Sequence, residues 1–229
     1  MPTTTTTNTP RPLLGRLLDK LERASALDAP AKSIGSTTRG LIPQGEVKDL
    51  ISGTPSGHPA HPPLTDVTIT AFLGATLLDV LAPRVGRRAA QRLIAVGVLA
   101  AVPTAVTGIS DWADTELADP AARRVGLVHA GTNVSALLLY AASLSARRRG
   151  AHLRGVLLGL TGATALTAGG YLGGHMSYTQ GVGVNQTAFD PGPGEWTVVT
   201  PGGELRDGEP QSVSADGAPL LLVRRGDGI

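Results

Sequence analysis

Four long apolar segments occupy the middle of the chain, at residues 64–82, 89–109, 125–146 and 155–175. Their lengths match the roughly 20 residues that an α-helix needs to cross the hydrocarbon core of a bilayer. The last three contain long stretches without acidic or basic residues, whereas the first is charge-free only over residues 67–78. A soluble helix bundle would show a charged stripe at the helical period on every helix, and the fourth segment has none. The pattern therefore predicts four membrane-spanning helices.

Short polar connections join these segments, at residues 83–92, 110–124 and 146–154. Connections of this length make consecutive helices antiparallel neighbours. We therefore predict a mainly α fold, an integral membrane antiparallel four-helix bundle, followed by a short β-rich C-terminal segment. Both ends of the bundle and its middle connection then lie on one membrane face.

The two membrane faces differ in charge. The first and third connections carry a cluster of arginines: Arg84, Arg87, Arg88, Arg92, Arg147, Arg148, Arg149 and Arg154. The opposite face carries two arginines and four acids: Arg123, Arg124, Asp111, Asp114, Glu116 and Asp119. The positive-inside rule then predicts a multi-pass protein of the cell membrane with both termini extracytoplasmic. A basic helix near the N-terminus conflicts with this orientation, because it would favour the anionic cytoplasmic leaflet.

The segments before the bundle are more polar. The Thr/Pro-rich residues 1–12 predict disorder, and residues 13–27 place leucines at helical spacing beside charged residues. This amphipathic helix either lies on the membrane surface or packs on another domain. Residues 28–63, rich in Pro, Gly and Ser, predict an irregular linker. We therefore divide the chain into an amphipathic helix and disordered linker (1–56), a four-helix membrane domain (57–180), and a linker with a partial β-rich segment (181–229).

Four of the five histidines fall on one membrane face in this topology: His58, His61, His129 and His175. Histidine beside or within a membrane span is costly to bury without a partner, so a ligand role is the first hypothesis. Prolines stiffen the run that holds His58 and His61, and Asn133 lies one helical turn after His129, where it can orient the ring. We predict that the four histidines and Asn133 bind haem b or a metal ion, with the histidines as metal ligands.

Each of these positions also has a purely structural explanation. His58 and His61 would form a rigid start of a helix, and His129 with Asn133 would only join two helices. The glycines before His175 leave room for a flat macrocycle, but they also permit ordinary close packing of helices.

Composition removes several kinds of chemistry. The chain has no cysteine, which excludes disulfides and thiolate catalysis. Its net charge of +2 gives no bulk attraction for nucleic acid. No phosphate-binding loop, zinc-protease motif or nucleophile elbow is present. The carboxylates are not paired for acid–base work, and Asp79 is expected to pair with Arg84 or Arg87. We therefore predict no catalytic residue.

Two classes of function remain. In the first, the bundle is a redox module, a component of an oxidoreductase, that holds haem or a metal near the extracytoplasmic face and passes electrons to the C-terminal domain. In the second, it is a cofactor-free membrane anchor or scaffold for that domain. The expected partners are the lipid bilayer and an electron-transfer protein.

The apolar segments and their flanks resemble a known family. The runs GHPAHPPLTDVTI, TGISDW, RRVGLVHAGTN and GGYLGGHMSYTQGVGVN, within residues 57–185, are similar to the bacterial membrane family of unknown function DUF2231. The resemblance implies a four-helix membrane domain with no settled activity. It therefore supports the topology without indicating a reaction.

The C-terminal tail has a different pattern, with candidate strands at residues 196–199, 211–213 and 220–223 between Gly-Gly and Asp-Gly turns. It resembles the opening strands of a Rieske ferredoxin-like domain, through Trp196-Thr-Val-Val, a Gly208-Glu-Pro turn and LLLVRRGDGI. In such domains the Cys-x-His and Cys-x-x-His cluster ligands follow later. They are absent here, so a [2Fe-2S] cluster is excluded from this chain as it stands.

Overall fold

The computed structural model describes residues 12–185, 188–189, 192–226 and 228. The chain divides into two compact units, Met1–Val182 and Gly183–Ile229. The described part of the first unit is helical, and that of the second contains one two-stranded sheet. The disorder predicted for residues 1–12 falls, apart from Pro12, outside the described residues.

Seven α-helices form the described part of the first unit. The first three are short: α1 (Leu13–Glu22), α2 (Asp28–Leu41) and α3 (Glu46–Ser52). The other four are α4 (His61–Leu81), α5 (Arg87–Thr115), α6 (Pro120–Arg148) and α7 (His152–Tyr178). Each of these four is long and apolar enough to span a membrane. The predicted mainly α fold with four spans is therefore confirmed.

Contacts between helix ends establish the direction of each span. The beginning of α4, at His61, meets α5 near its end, at Thr107. In the same way His129, near the beginning of α6, meets α7 near its end, at Gly169. Consecutive spans therefore run antiparallel, whereas α4 and α6 run parallel across the bundle.

Two stacked aromatic rings lie at the centre of the bundle. Phe72 of α4 and Tyr140 of α6 are fully buried, with ring centroids 4.0 Å apart and planes inclined by 2°. Glycines stand behind both rings: a Cβ at Gly97 of α5 would lie 2.5 Å from Phe72 Cε1, and one at Gly162 of α7 would lie 3.1 Å from Tyr140 Cδ2. Each of the four spans therefore contributes one residue to this central contact.

The membrane domain consists of two equivalent helix hairpins, α4–α5 and α6–α7. Tyr140 follows its equivalent, Phe72, by 68 positions in the sequence, and Gly162 follows its equivalent, Gly97, by 65. In each hairpin the central aromatic ring of the first helix contacts the equivalent glycine of the second helix. The hairpins are therefore related by a pseudo-two-fold axis along the bundle, an arrangement of parallel internal repeats.

Residues before the bundle are more ordered than the sequence predicts. The irregular linker expected over residues 28–63 is wrong for α2 and α3, which are helical. Ala31, Gly35 and Thr38 repeat at helical spacing and form the buried face of α2, where Gly35 lies against Glu116. The small residues that suggested a linker are the ones that allow this close contact.

The second unit contains a β-hairpin of β1 (Pro210–Ala215) and β2 (Ala218–Val223), paired antiparallel. Asp216 and Gly217 form its two-residue turn with φ of 50° and 91°, the left-handed pair that such turns require. The predicted strands at 211–213 and 220–223 lie inside β1 and β2. The strand predicted at 196–199 is wrong, because the structure assigns no strand to those residues.

We expect Gly97→Ala to lower the free energy of unfolding by about 1–3 kcal/mol, because the added methyl group displaces the Phe72 ring. Gly131→Ala on α6 is the matched control, since a Cβ there meets no atom within 4 Å. Thermal unfolding of the detergent-purified variants measures the difference. Equal melting temperatures for the two variants would contradict the central contact.

Candidate functional site

His61 lies at the first residue of α4 with its ring held by α5. Its Nδ1 is 3.0 Å from the carbonyl oxygen of Thr104 and 3.3 Å from Thr107 Oγ1. A carbonyl oxygen only accepts hydrogen bonds, so Nδ1 carries a proton, and in the neutral ring Nε2 then carries a lone pair. Thr65 Oγ1 lies 3.4 Å from Nε2 and donates at 2.9 Å to the His61 carbonyl instead.

His129 on α6 is held in the same way by α7. Its Nδ1 donates to the carbonyl oxygen of Gly169 at 2.8 Å. Asn133 Nδ2 donates to the His129 carbonyl at 2.8 Å and lies 3.3 and 3.4 Å from the two ring nitrogens. Because Nδ1 donates to Gly169, Nε2 is the nitrogen of the neutral ring that can accept a hydrogen bond from this amide. The lone pair that Nε2 of His129 carries in the neutral ring therefore has Asn133 beside it.

His61 and His129 occupy equivalent positions in the two hairpins. His129 follows His61 by the same 68 positions as the central rings, and Gly169 follows Thr104 by the same 65. Glycines again lie behind the rings: a Cβ at Gly108 would be 2.6 Å from His61 Cε1, and one at Gly173 would be 3.0 Å from His129 Cε1.

The other two candidate histidines have different surroundings. His175 Nε2 lies 2.8 Å from Glu22 Oε1, which also accepts from Gln180 Nε2 at 3.0 Å. His58 is exposed, and its hydrogen bonds in the described chain involve only its backbone. No group of three or more His, Cys, Asp or Glu side chains among the described residues is placed to hold a metal ion.

Three ion pairs and one histidine–carboxylate contact attach the N-terminal helices to the histidine end of the bundle. They join Glu22 to His175, Asp28 to Arg124, Arg39 to Glu116 and Lys48 to Asp114, with N···O distances of 2.7–2.9 Å. We call these four pairs the ionic belt. Glu116 is fully buried and also accepts from Arg123 at 2.7 Å. The N-terminal segment therefore covers the end at which His61 and His129 lie.

The Asp28 carboxyl of the belt belongs to α2, outside the four spans. The hydrogen bond from Arg124 holds the pKa of the Asp28 carboxyl below its ordinary value. Because this pKa is depressed in the folded state, the stability from the pair is present above the ordinary aspartate pKa and is lost as the pH falls through the lower value. The ion pair between α2 and α6 therefore persists at every pH at which a free aspartate is ionised.

A further ion pair is buried at the opposite end of the bundle. Asp79 of α4 receives two hydrogen bonds from Arg147 of α6, one of them at 2.8 Å, and Arg147 Nε donates to Ser143 Oγ at 3.1 Å. The expected pairing of Asp79 with Arg84 or Arg87 is wrong, because Asp79 pairs with Arg147. Arg147 is a buried residue of α6 and not part of a loop.

The sequence contains a signal for the paired site that the motif analysis missed. A repeat at 68 positions relates His61, Phe72 and Asp79 to His129, Tyr140 and Arg147, although the aligned residues differ in two of three cases. The ionic belt has no comparable signal, because each residue of its N-terminal half finds its partner far along the chain.

Four apolar helices in antiparallel order, with polar groups gathered at the two ends, define a multi-pass membrane four-helix bundle. Residues 57–186 match the family described as "Predicted membrane protein (DUF2231)", and the chain belongs to this family. No curated protein and no solved structure matches the chain. The family match includes all four candidate histidines and excludes α1–α3 and the β-hairpin. The Rieske-like resemblance of the C-terminal segment receives no support.

We expect Asp79→Asn to destabilise the bundle by about 3–5 kcal/mol, because it leaves the buried Arg147 charge without its partner. The double variant Asp79→Leu, Arg147→Leu should recover most of this loss, since no unpaired charge remains. Arg148→Gln, at an exposed neighbour, is the control. Thermal unfolding in detergent checks the order, and a double variant no more stable than Asp79→Asn would contradict it.

Proposed function

We propose that the membrane domain is a redox module in which His61 and His129 bind haem b or a single metal ion. The observation that carries the proposal is the matching state of the two rings. Each donates its Nδ1 proton to a backbone carbonyl of the neighbouring helix. This hydrogen bond is the usual companion of a metal-binding histidine, because it fixes the ring and leaves Nε2 to bind.

The pseudo-two-fold axis supports a shared ligand. His61 belongs to the first hairpin and His129 to the second, so a group bound by both would lie at the interface of the two repeats. Binding sites of membrane proteins built from repeats are commonly found at such interfaces. The donor set fits the proposed group, since two neutral imidazoles suit haem iron or a first-row metal, and such a group supplies one-electron transfer.

The chain's own residues have three roles in this proposal. Thr104 and Gly169 orient the rings through their carbonyl oxygens. Asn133 packs beside His129 and limits its rotation. The ionic belt attaches α1–α3 over this end and so restricts access of water. His58 and His175 are not ligands in this arrangement, because His58 is exposed and His175 pairs with Glu22. Electron transfer to a Rieske-like partner domain stays a prediction.

A cofactor-free membrane anchor or scaffold is the second candidate. It is favoured by the internal hydrogen bonding of His61, His129 and His175, whose contacts all serve to join helices. In this case the two equivalent histidines would simply join α4 to α5 and α6 to α7.

The orientation that we propose places both termini on the extracytoplasmic side of the cell membrane. It is supported by the arginines around residues 83–92 and 146–154, which lie at the end of the bundle away from His61. Arg147 is buried against Asp79 and adds little to this asymmetry.

Single cysteines that replace Arg88, Ala118 and Arg148 test the orientation. The chain has no cysteine of its own that the reagent could label. All three positions are exposed. A membrane-impermeant maleimide applied to intact cells should label only Ala118→Cys, and permeabilised cells should label all three. Labelling of Ala118→Cys together with either other variant would contradict the hairpin topology, and labelling of only the other two would invert the orientation.

Protein purified from cells supplied with haem and metals should carry a haem spectrum or a bound metal. His61→Ala and His129→Ala should each lower that content by at least about tenfold, because each removes a direct ligand and loss of even an outer-shell partner costs about 10–100-fold in affinity. His58→Ala and His175→Ala should leave it unchanged. Absorption spectra and elemental analysis measure the content. A colourless, metal-free wild-type protein would contradict the redox module and leave the anchor.

A further inference from the structure

The short helix α3 is attached to α5 through a lysine, while its apolar residues stay exposed. The amine of the buried Lys48 donates to the Ser110 carbonyl at 3.0 Å and lies 2.7 Å from both Ser110 Oγ and Asp114 Oδ2. Val47 and Leu50, by contrast, are 66% and 70% exposed. This distribution is the reverse of that in a helix on a water-soluble protein, which turns its apolar side toward the core.

The residues that bind Lys48 belong to the side of α5 that faces away from the bundle. The inward side of α5 carries Gly97, behind the central ring, and Gly108, behind the first histidine ring. At 3.6 residues per turn, Ser110 lies about 140° from Gly97 and about 160° from Gly108 around the helix. The helix α3 therefore lies on the outer surface of α5.

This outer surface of α5 is the one that meets lipid. Exposed Leu99 and Val106 lie on it, about three turns and one turn before Ser110, and α5 is apolar enough to span a membrane. The charge-free run of α5, residues 93–110, is about 27 Å long, close to the roughly 30 Å of a hydrocarbon core. Because this run ends at Ser110, α3 lies at the level where acyl chains give way to headgroups.

Three sides of α3 have different characters, since successive residues turn by about 100° around the helix. One side carries Lys48 and is bound to α5. A second side carries Val47 and Leu50, and a third carries the exposed acids Glu46 and Asp49. A helix in the membrane interface has hydrocarbon on one side and water on the other. The two free sides of α3 match these two surroundings.

We infer that α3 is an interfacial helix whose apolar side inserts into the acyl chains of the leaflet at the histidine end of the bundle. Its apolar side then continues the lipid-facing surface of α5. The polar side is acidic and has no attraction for anionic headgroups, so the partner is the hydrocarbon of the bilayer. This surface lies outside the family match and does not depend on the redox proposal.

Fluorescent labels on single cysteines test this surface in the full-length protein, reconstituted in phosphatidylcholine vesicles. Leu50→Cys and Asp49→Cys are a matched pair, because both replace exposed residues of α3. Nitroxides near the start of the lipid acyl chains should quench the label severalfold more strongly at Leu50→Cys, since an interfacial helix is immersed by about 5–10 Å. Iodide on both sides of the membrane should quench the label more strongly at Asp49→Cys.

Two further variants at exposed residues calibrate the experiment. Val106→Cys gives the reference for contact with lipid, and Ala118→Cys gives the reference for contact with water. Equal iodide quenching at Leu50→Cys and Ala118→Cys would overturn the inference, because the apolar side of α3 would then lie in water. Protection of Leu50→Cys from both quenchers would also overturn it, because that side would then be covered by protein, such as a second copy of the chain.

Discussion

The contact between Phe72 and Tyr140 sets the spacing of the whole membrane domain. The two rings meet near the pseudo-two-fold axis, and each has a glycine of the adjoining span behind it. Van der Waals contact drives helix association in a membrane, and small residues let the helices approach closely. The two stacked rings lie between the diagonal helices α4 and α6, and the antiparallel helices α5 and α7 pack against these rings through their glycines. The ends of the bundle then inherit the same register.

This register explains why matching side chains recur at both ends. His61 and His129 each lie 11 positions before the central ring of their own helix. Because α4 and α6 run parallel, residues at equal distance from the rings lie at equal depth in the bundle. The pairing of the two histidines is therefore a property of the fold, which places equivalent groups opposite each other. The redox and the anchor hypotheses share this geometry and differ in whether Nε2 of the two rings binds haem or a metal ion.

The spans and their order followed from the sequence because lipid imposes a strong rule on length and polarity. The shared face of the histidines followed from that order, although only His61 and His129 have equivalent surroundings. The helices α2 and α3 could not be predicted, since Gly35 and its small neighbours signal a linker unless Glu116 is known to lie against them. The partner of Asp79 was missed for a related reason. Arg147 belongs by sequence to an arginine cluster, and only the length of α6 reveals that it is buried.

The pair of Asp79 and Arg147 has a consequence for the way in which the two hairpins recognise each other. These residues occupy equivalent positions in the two repeats but carry opposite charges. Two copies of the first hairpin would bring two aspartates together, and two copies of the second would bring two arginines together, in each case a buried repulsion. Newly inserted hairpins from different chains therefore gain nothing by pairing with their own kind. The charge-matched partner of each hairpin is the other kind of hairpin, which the same polypeptide supplies.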